Sequence, residues 1–174
     1  MSSIFLIGPM GSGKSTVGRA LAKKIGYDFL DSDREIEARC GVDIPTIFDY
    51  EGEIGFRDRE ERMLDELSSR QKLVLATGGG SILRESSRDR LKNRGYVILL
   101  SVDLDEQMRR VGSDTKRPLL KADDPKAILR TLMEERAPLH KSVADVEIST
   151  DSRRMYHVVT RIIKHLRNND VIDR

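Results

Sequence analysis

Residues Gly8-Pro9-Met10-Gly11-Ser12-Gly13-Lys14-Ser15 match the pattern G-x-x-x-x-G-K-[ST] without a gap, and few short motifs constrain a fold so tightly. The pattern needs a strand before it and a helix after it. Ile4-Phe5-Leu6-Ile7 supplies an apolar run of strand length. Thr16 to Ile25 puts Val17, Ala20, Leu21 and Ile25 on one helical face, with Lys23 and Lys24 near its C-terminal end. The glycines let the backbone bend so that successive N–H groups, from Gly11, Ser12 and Gly13 through Lys14, Ser15 and Thr16, point inward at phosphate oxygens. The helix adds the positive end of its dipole. Lys14 carries a mobile charge toward β- and γ-phosphates, and Ser15 offers a hydroxyl to magnesium. The loop specifies a nucleotide site but leaves the phosphoryl acceptor open, because GTPases, ATP-driven motors and metabolite kinases all share it.

Downstream, short apolar runs alternate with helix-like stretches, the pattern of βαβ units around a parallel sheet. Candidate strands are Ile4–Ile7, Asp28–Leu30, Leu73–Ala76, Val97–Leu100 and Val146–Ile148. The third and fourth are almost wholly apolar, as strands covered by helices on both faces must be. The expectation is an α/β fold, a three-layer α/β/α arrangement with a five-stranded parallel sheet. Further helices are expected near Arg34, over Glu53–Leu67, over Pro125–Leu139 with Asp124 as N-cap, and over Arg153–Leu166, with Asn168-Asn169-Asp170 fraying. At 174 residues, with no repeat or linker, residues 1–174 read as one domain.

Composition narrows the partners. The net charge is +2 and no basic stripe is interleaved with aromatics, so no nucleic-acid partner is expected. No apolar run approaches bilayer length, and the first one is too short for a signal peptide. Cys40 is the only cysteine and has no partner for an intrachain disulfide; it reads as a small packing residue. A cytoplasmic protein without a membrane partner follows as the expectation.

Three clusters bear on the acceptor. Asp31-Ser32-Asp33 follows the second strand, where two carboxylates can face the ligand crevice of an α/β sheet; equally, one of them can simply cap the next helix. Gly52-Glu53-x-x-Phe56-Arg57 puts a cation in the first turns of a helix, where the dipole disfavours it, and an anionic ligand, Glu53 or Glu60 can offset that. Thr77-Gly78-Gly79-Gly80-Ser81 keeps three consecutive glycines, which favours a close backbone approach to a ligand.

With these segments in order, the chain resembles the shikimate kinase family from Ile4 to about Ile163. The resemblance rests on Gly8 to Gly18, Phe29-Leu30-Asp31-Ser32-Asp33, Ile47-Phe48, Gly52 to Arg57, Ala76 to Gly80, Arg117-Pro118-Leu119-Leu120 and Glu135-Arg136-Ala137-Pro138-Leu139. It implies a P-loop kinase fold with a substrate-binding region at about 32–61 and a mobile lid at about 112–124. ATP and shikimate would be the substrates, with magnesium as cofactor and a monomer as the working unit. Lys14, Asp33 and Arg117 would be catalytic, Asp33 orienting the acceptor hydroxyl. Arg57, Arg136, Gly79, Gly80 and Ser81 would line the substrate pocket, the two guanidinium groups clamping a carboxylate. Asp31 would act through water on the magnesium held by Ser15. Arg110 would lie against the adenine, with Arg153 on the same surface and Arg117 folding over the phosphates. The polar run Gly112 to Lys116 agrees with a lid. The family commonly has tyrosine where this chain has His140, which reads as structural. A kinase for gluconate or a nucleoside monophosphate is the nearest alternative; a non-catalytic nucleotide-binding module fits less well, because Asp33, Arg57, Arg136 and the triple glycine are intact.

Overall fold

All five residues of β1 (Ser3–Ile7) are buried, and a strand without a solvent-facing side must run through the middle of a covered sheet. The computed structural model describes residues 2–111, 124–150 and 154–173. After β1 come α1 (Lys14–Ile25), β2 (Asp28–Asp31), α2 (Ser32–Cys40), α3 (Ile44–Ser68), β3 (Leu73–Ala76) and α4 (Glu85–Arg94). β4 (Gly95–Ser101), α5 (Leu104–Val111), α6 (Pro125–Val143), β5 (Val146–Ser149) and α7 (Met155–Asn168) complete the order. The sheet is parallel, in the order β2-β3-β1-β4-β5. Leu6 lies opposite Ala76 on one side and Ile98 on the other. The chain therefore leaves all five strands toward one edge, where the crevice of such a sheet binds ligands.

Side-chain alternation divides the core between two layers. Phe5, Ile7, Leu75 and Leu99 face the side of α2, α3, α4 and α6, packed with Ile36, Phe56, Leu64 and Val143. Ile4, Leu6, Val74 and Ile98 face α1 and α7, packed with Leu21, Val158 and Ile162. The three-layer expectation and the five expected strands are present, each within a residue or two at its ends.

The helices depart from expectation where their apolar signal is thin. α4 buries only Ser87 and Leu91 and shows no periodic face in the sequence, while α5 has Leu104, Met108 and Val111 at helical spacing but spans only eight residues. α3 begins at Ile44 rather than Glu53: Asp43 caps it by accepting from the Thr46 N–H, and Pro45 sits in the first turn. Gly52, at φ 67° and ψ −176°, interrupts it, so Arg57 does stand in the first turns of a renewed helix. Asp124 caps α6 as expected, accepting from the Ala127 N–H. The C-terminal stretch does not fray: the Val171 N–H donates to the Leu166 carbonyl and Ile172 is buried against the α1–α7 layer. Among the described residues no helix is long and apolar enough to cross a membrane.

Gly18 lets α1 lie close over the sheet, since a Cβ there would come within 2.7 Å of the Phe29 ring and 3.0 Å of Leu6. Gly18→Ala is expected to destabilise the protein by about 1–3 kcal/mol through overpacking. Urea denaturation measures this, and an unchanged midpoint would mean that Phe29 swings aside freely.

Candidate active site

The loop after β1 adopts the conformation its glycines permit, with Gly11 at φ +74° and Gly13 at φ +89°. Gly13 is also the N-cap of α1, so the helix starts at Lys14 and directs its N-terminal N–H groups into the crevice. Lys14 Nζ folds back on the loop and donates to the carbonyls of Gly8 at 2.8 Å and Pro9 at 2.9 Å. Ser15 Oγ donates to Asp31 Oδ2 at 2.5 Å. Asp31 Oδ1 accepts from the N–H groups of Asp33 and Arg34. Asp31 thus caps α2 and faces the phosphate loop at once, joining the two readings its position allowed.

Across the crevice, the glycine turn after β3 is pressed on by side chains. A Cβ on Gly78 would lie 2.5 Å from Asp33 Oδ1 and 2.7 Å from Glu60 Oε1, and one on Gly80 would collide with the Arg57 guanidinium. Two of the three glycines therefore make room for the protein's own charged groups. Gly79 has space: its nearest neighbours would be Met10 N at 3.7 Å and Arg136 Nη1 at 3.8 Å. Arg136 Nη1 donates to the Gly79 carbonyl at 3.1 Å. Arg57 Nη1 donates to Glu60 Oε2 at 2.6 Å, while Glu53 stands farther off at 3.5 Å. The structure thus brings Asp33, Arg57, Gly79, Gly80 and Arg136 to one turn.

The charges of this pocket are only partly compensated. Burial, then the charges of Glu60 and Asp31, push the Asp33 carboxyl up from 3.8 to about 7, against an opposing pull from Lys14. Burial also raises Glu60, despite its ion pair with Arg57, so desolvation outweighs the pairing. Burial and the neighbouring Arg57 charge lower Arg136 from its usual value. Asp33 Oδ1, Arg57 Nε, Glu60 Oε1 and Ser81 Oγ are buried and have no hydrogen-bond partner. Orphaned polar atoms gathered in one cleft mark a ligand site more than a packing fault. Two guanidinium groups beside a glycine turn, opposite carboxyls, suit a small molecule bearing an anionic group at one end and hydroxyls at the other.

Behind Arg136 lies a mostly apolar cavity of about 250 Å³, between Pro9 and Met10 of the loop and Leu132, Met133 and His140 of α6. His140 is buried, and burial, followed by the charges of Lys14 and Arg136, lowers its pKa to about 4. It is a neutral wall residue, in keeping with the structural reading. On the other side of the loop, Ser12, Gly13, Thr16, Arg110, Met155 and Val158 line a shallow cleft of about 220 Å³. Arg110 is held there by its edge: Nε donates to Glu106, Nη1 to the Gly11 carbonyl and Nη2 to the Thr150 carbonyl. Arg117, Arg153 and the lid at about 112–124, apart from the cap Asp124, lie outside the described residues. Glu60 was legible only as an ion-pair candidate three residues after Arg57; its position beside Asp33 had no signal in the sequence.

A cation fits one corner of this site. Ser15 Oγ and Asp31 Oδ2 are hard oxygen donors already in contact. Among the described residues no group of three or more His, Cys, Asp or Glu could hold a metal by itself. A magnesium ion carried mostly by phosphates and water needs only such a pair.

The profile of the shikimate kinase family matches residues 10–167. The chain is 49% identical to the shikimate kinase of Hahella chejuensis, over 95% of this chain and 86% of that protein. It is 48% identical to that of Chromohalobacter salexigens, over 99% and 97%. The structure of shikimate kinase from Acinetobacter baumannii in complex with shikimate superposes with a TM-score of 0.95 at 45% identity, covering 98% of this chain and 96% of that one. A gluconokinase from Sinorhizobium meliloti, 19% identical with a TM-score of 0.55 over 97% of both chains, shares the fold.

The raised Asp33 carboxyl has a consequence for stability. The folded state keeps its proton up to about pH 7, whereas the unfolded chain releases it near 3.8. The stabilising contribution is therefore complete below the lower value and lost as pH rises through the higher one. Asp33→Asn should gain on the parent by up to about 4 kcal/mol between about pH 4 and pH 8 in the absence of ligands. Paired urea titrations across that range check it; a difference independent of pH would show that Asp33 ionises normally.

Proposed function

The chain belongs to the shikimate kinase family, and from that premise we propose how its residues transfer the γ-phosphoryl group of ATP to the 3-hydroxyl of shikimate, giving shikimate 3-phosphate and ADP in the pathway to chorismate and aromatic amino acids. The observation that carries the assignment of residues is the convergence of Arg57 and Arg136 on Gly79–Gly80, with Asp33 across the turn. Shikimate presents a carboxylate at one end of its ring and hydroxyls at the other, complementary to that polarity.

In this reading the carboxylate lies between the two guanidinium groups, and Gly79 and Gly80 border the ring. Asp33 accepts a hydrogen bond from the reacting hydroxyl. Its pKa near neutrality suits it to take that proton as the oxygen attacks. The triphosphate lies along Gly11 to Thr16, and Lys14 exchanges the Gly8 and Pro9 carbonyls for β- and γ-phosphate oxygens. Ser15, with Asp31 through water, holds magnesium, which when bound neutralises phosphate charge. Arg110 offers its guanidinium face to the adenine, because its edge is already committed. Arg117 and Arg153 keep the roles the sequence resemblance gives them, over the phosphates and beside the adenine, and the lid at about 112–124 closes to keep water from competing as acceptor. The chain works as a single-domain cytoplasmic monomer, with neither nucleic acid nor membrane as partner.

ATP consumption that depends on shikimate, with the product identified as the 3-phosphate, tests the reaction itself; turnover with gluconate in its place would redirect it. Lys14→Met is expected to depress turnover by orders of magnitude while the protein stays folded, and near-normal turnover would defeat its role. Arg57→Ala and Arg136→Ala should each weaken shikimate binding by about 1.5–3 kcal/mol, roughly ten- to hundredfold, and spare ATP affinity. Titration calorimetry with each ligand measures both, and unchanged shikimate affinity in the two variants would reject the clamp.

A further inference from the structure

A phosphate-binding loop presents its N–H groups inward only if its carbonyls are turned outward and satisfied there. Every carbonyl from Gly8 to Gly13 has a partner in this structure. Those of Gly8 and Pro9 accept from Lys14, and that of Gly13 from the Val17 N–H inside α1. The three between them are taken, one each, by side chains from outside the loop. Gln107 Nε2 donates to the Met10 carbonyl at 3.0 Å, Arg110 Nη1 to the Gly11 carbonyl at 3.1 Å, and Thr150 Oγ1 lies 3.0 Å from the Ser12 carbonyl.

Thr150 and Arg110 are themselves fixed by further contacts, whereas Gln107 is held by burial alone, its Oε1 having no partner. Gln107 and Thr150 are 2% and 4% exposed, an unusual depth for an amide and a hydroxyl that touch no catalytic group. Thr150 Oγ1 also lies 3.1 Å from the Ser101 carbonyl. The Ser101 carbonyl also receives the Thr150 N–H at 2.8 Å, whereas the hydroxyl is the donor nearest the Ser12 carbonyl, so the single hydroxyl proton is assigned to Ser12, the shorter contact, and the oxygen accepts from Arg110 Nη1. Arg110 is oriented in turn by Glu106, 2.7 Å from its Nε. Gln107 and Arg110 are three residues apart on α5, one helical face, which is why they reach adjacent carbonyls.

We propose that Gln107 and Thr150 are positioning residues for triphosphate binding, forming with Arg110 a brace that holds the Met10, Gly11 and Ser12 carbonyls outward and so keeps the phosphate-facing N–H groups aimed before ATP arrives. The Lys14 contacts to Gly8 and Pro9 must be given up when phosphate binds; the brace contacts need not be. Pre-organisation of this kind acts on binding of the triphosphate, because donors already in place do not have to be ordered at the moment of binding. The inference rests on the nucleotide site described above, and it concerns the hydrogen bonds these residues make to the outward carbonyls of the loop.

The test uses the full chain with MgATP and shikimate. Thr150→Val, which keeps shape and loses the hydroxyl, and Gln107→Leu are each expected to raise the KM for ATP about tenfold, the equivalent of one lost hydrogen bond, with kcat within about threefold of the parent. Shikimate affinity measured without nucleotide should be unchanged, and Thr150→Ser, which retains the hydroxyl, should restore the ATP KM. The proposal is overturned if the variants lose thermal stability while their ATP KM stays at the parental value, which is what a purely structural role gives. It is also overturned if Thr150→Ser fails to rescue, or if kcat falls as far as KM rises. Should Thr150→Val not fold, Gln107→Leu decides alone. Absence of any shikimate-dependent turnover in the parent would instead reject the proposed function, leaving calorimetric MgADP affinity of the same variants to judge the brace.

Discussion

The site hangs on the parallel register around β1. Because β3 and β4 flank that strand in parallel and β2 lies beyond β3, the ends of β1, β2 and β3 open onto one crevice. The phosphate loop follows β1, Asp31 ends β2 and Asp33 opens α2, and the glycine turn follows β3. No long-range folding of loops is needed to bring acid, glycine and phosphate cradle together. The backbone pairings Leu6–Ala76 and Asp31–Ala76 do so within one turn of each strand end. A one-residue slip of β2 against β3 would reverse the facing of its side chains and withdraw Asp31 from Ser15.

On that frame the pocket is divided by charge. Arg57 and Arg136 converge on the Gly79–Gly80 turn, Asp33 lies over Gly78, and Glu60 stands between them, over Gly78 with one oxygen and paired to Arg57 with the other. His140 sits one turn beyond Arg136 on α6, close enough to Lys14 and Arg136 for both charges to act on its ring. A protonated imidazole would make a third cation in a poorly hydrated corner, so the ring remains neutral at pH 7. Its hydrogen bond to the Arg136 carbonyl ties it to the backbone of the clamp helix rather than to the reacting groups. A histidine can therefore stand where the family commonly has tyrosine without altering the charge pattern that the substrate meets.

What could be read from the sequence follows from whether the signal is local. The phosphate loop, β3 and the Asp124 cap were legible because a few adjacent residues carry the whole physical requirement. The first half of α3 was not, since between Ile44 and Gly52 only Ile47 is buried and Gly52 resembles a helix boundary. Glu85–Arg94 has one buried apolar side chain, Leu91, so α4 gives no periodicity. The triple glycine pointed to the right place for a partly different reason: Gly78 and Gly80 accommodate Asp33, Glu60 and Arg57, and Gly79 is the one with open space. Gln107 and Thr150 lie some forty residues apart and about a hundred or more from the loop they touch, and a contact at that separation leaves no pattern in a single sequence.

Most of the groups a ligand would claim have a partner within the protein. Lys14 rests on two carbonyls, Ser15 on Asp31, Arg57 on Glu60 and Arg136 on Gly79. Lys14, Arg57 and Arg136 are half-buried, so these contacts offset part of the cost of drawing each charge out of water. They also make binding an exchange of partners rather than a fresh desolvation. Asp33 is the exception. Its Oδ1 has no donor, Glu60 and Asp31 repel it, and the pull of Lys14 does not outweigh burial, so the carboxyl holds its proton up to about pH 7. A ligand hydroxyl supplies the missing donor, and the proximity of Lys14 draws the carboxyl back toward its ionised form. The carboxyl oxygen without a protein donor is thus the one that gains most from an acceptor hydroxyl, and that gain is available only to a molecule that places a hydroxyl beside Asp33 while its anionic end reaches Arg57 and Arg136.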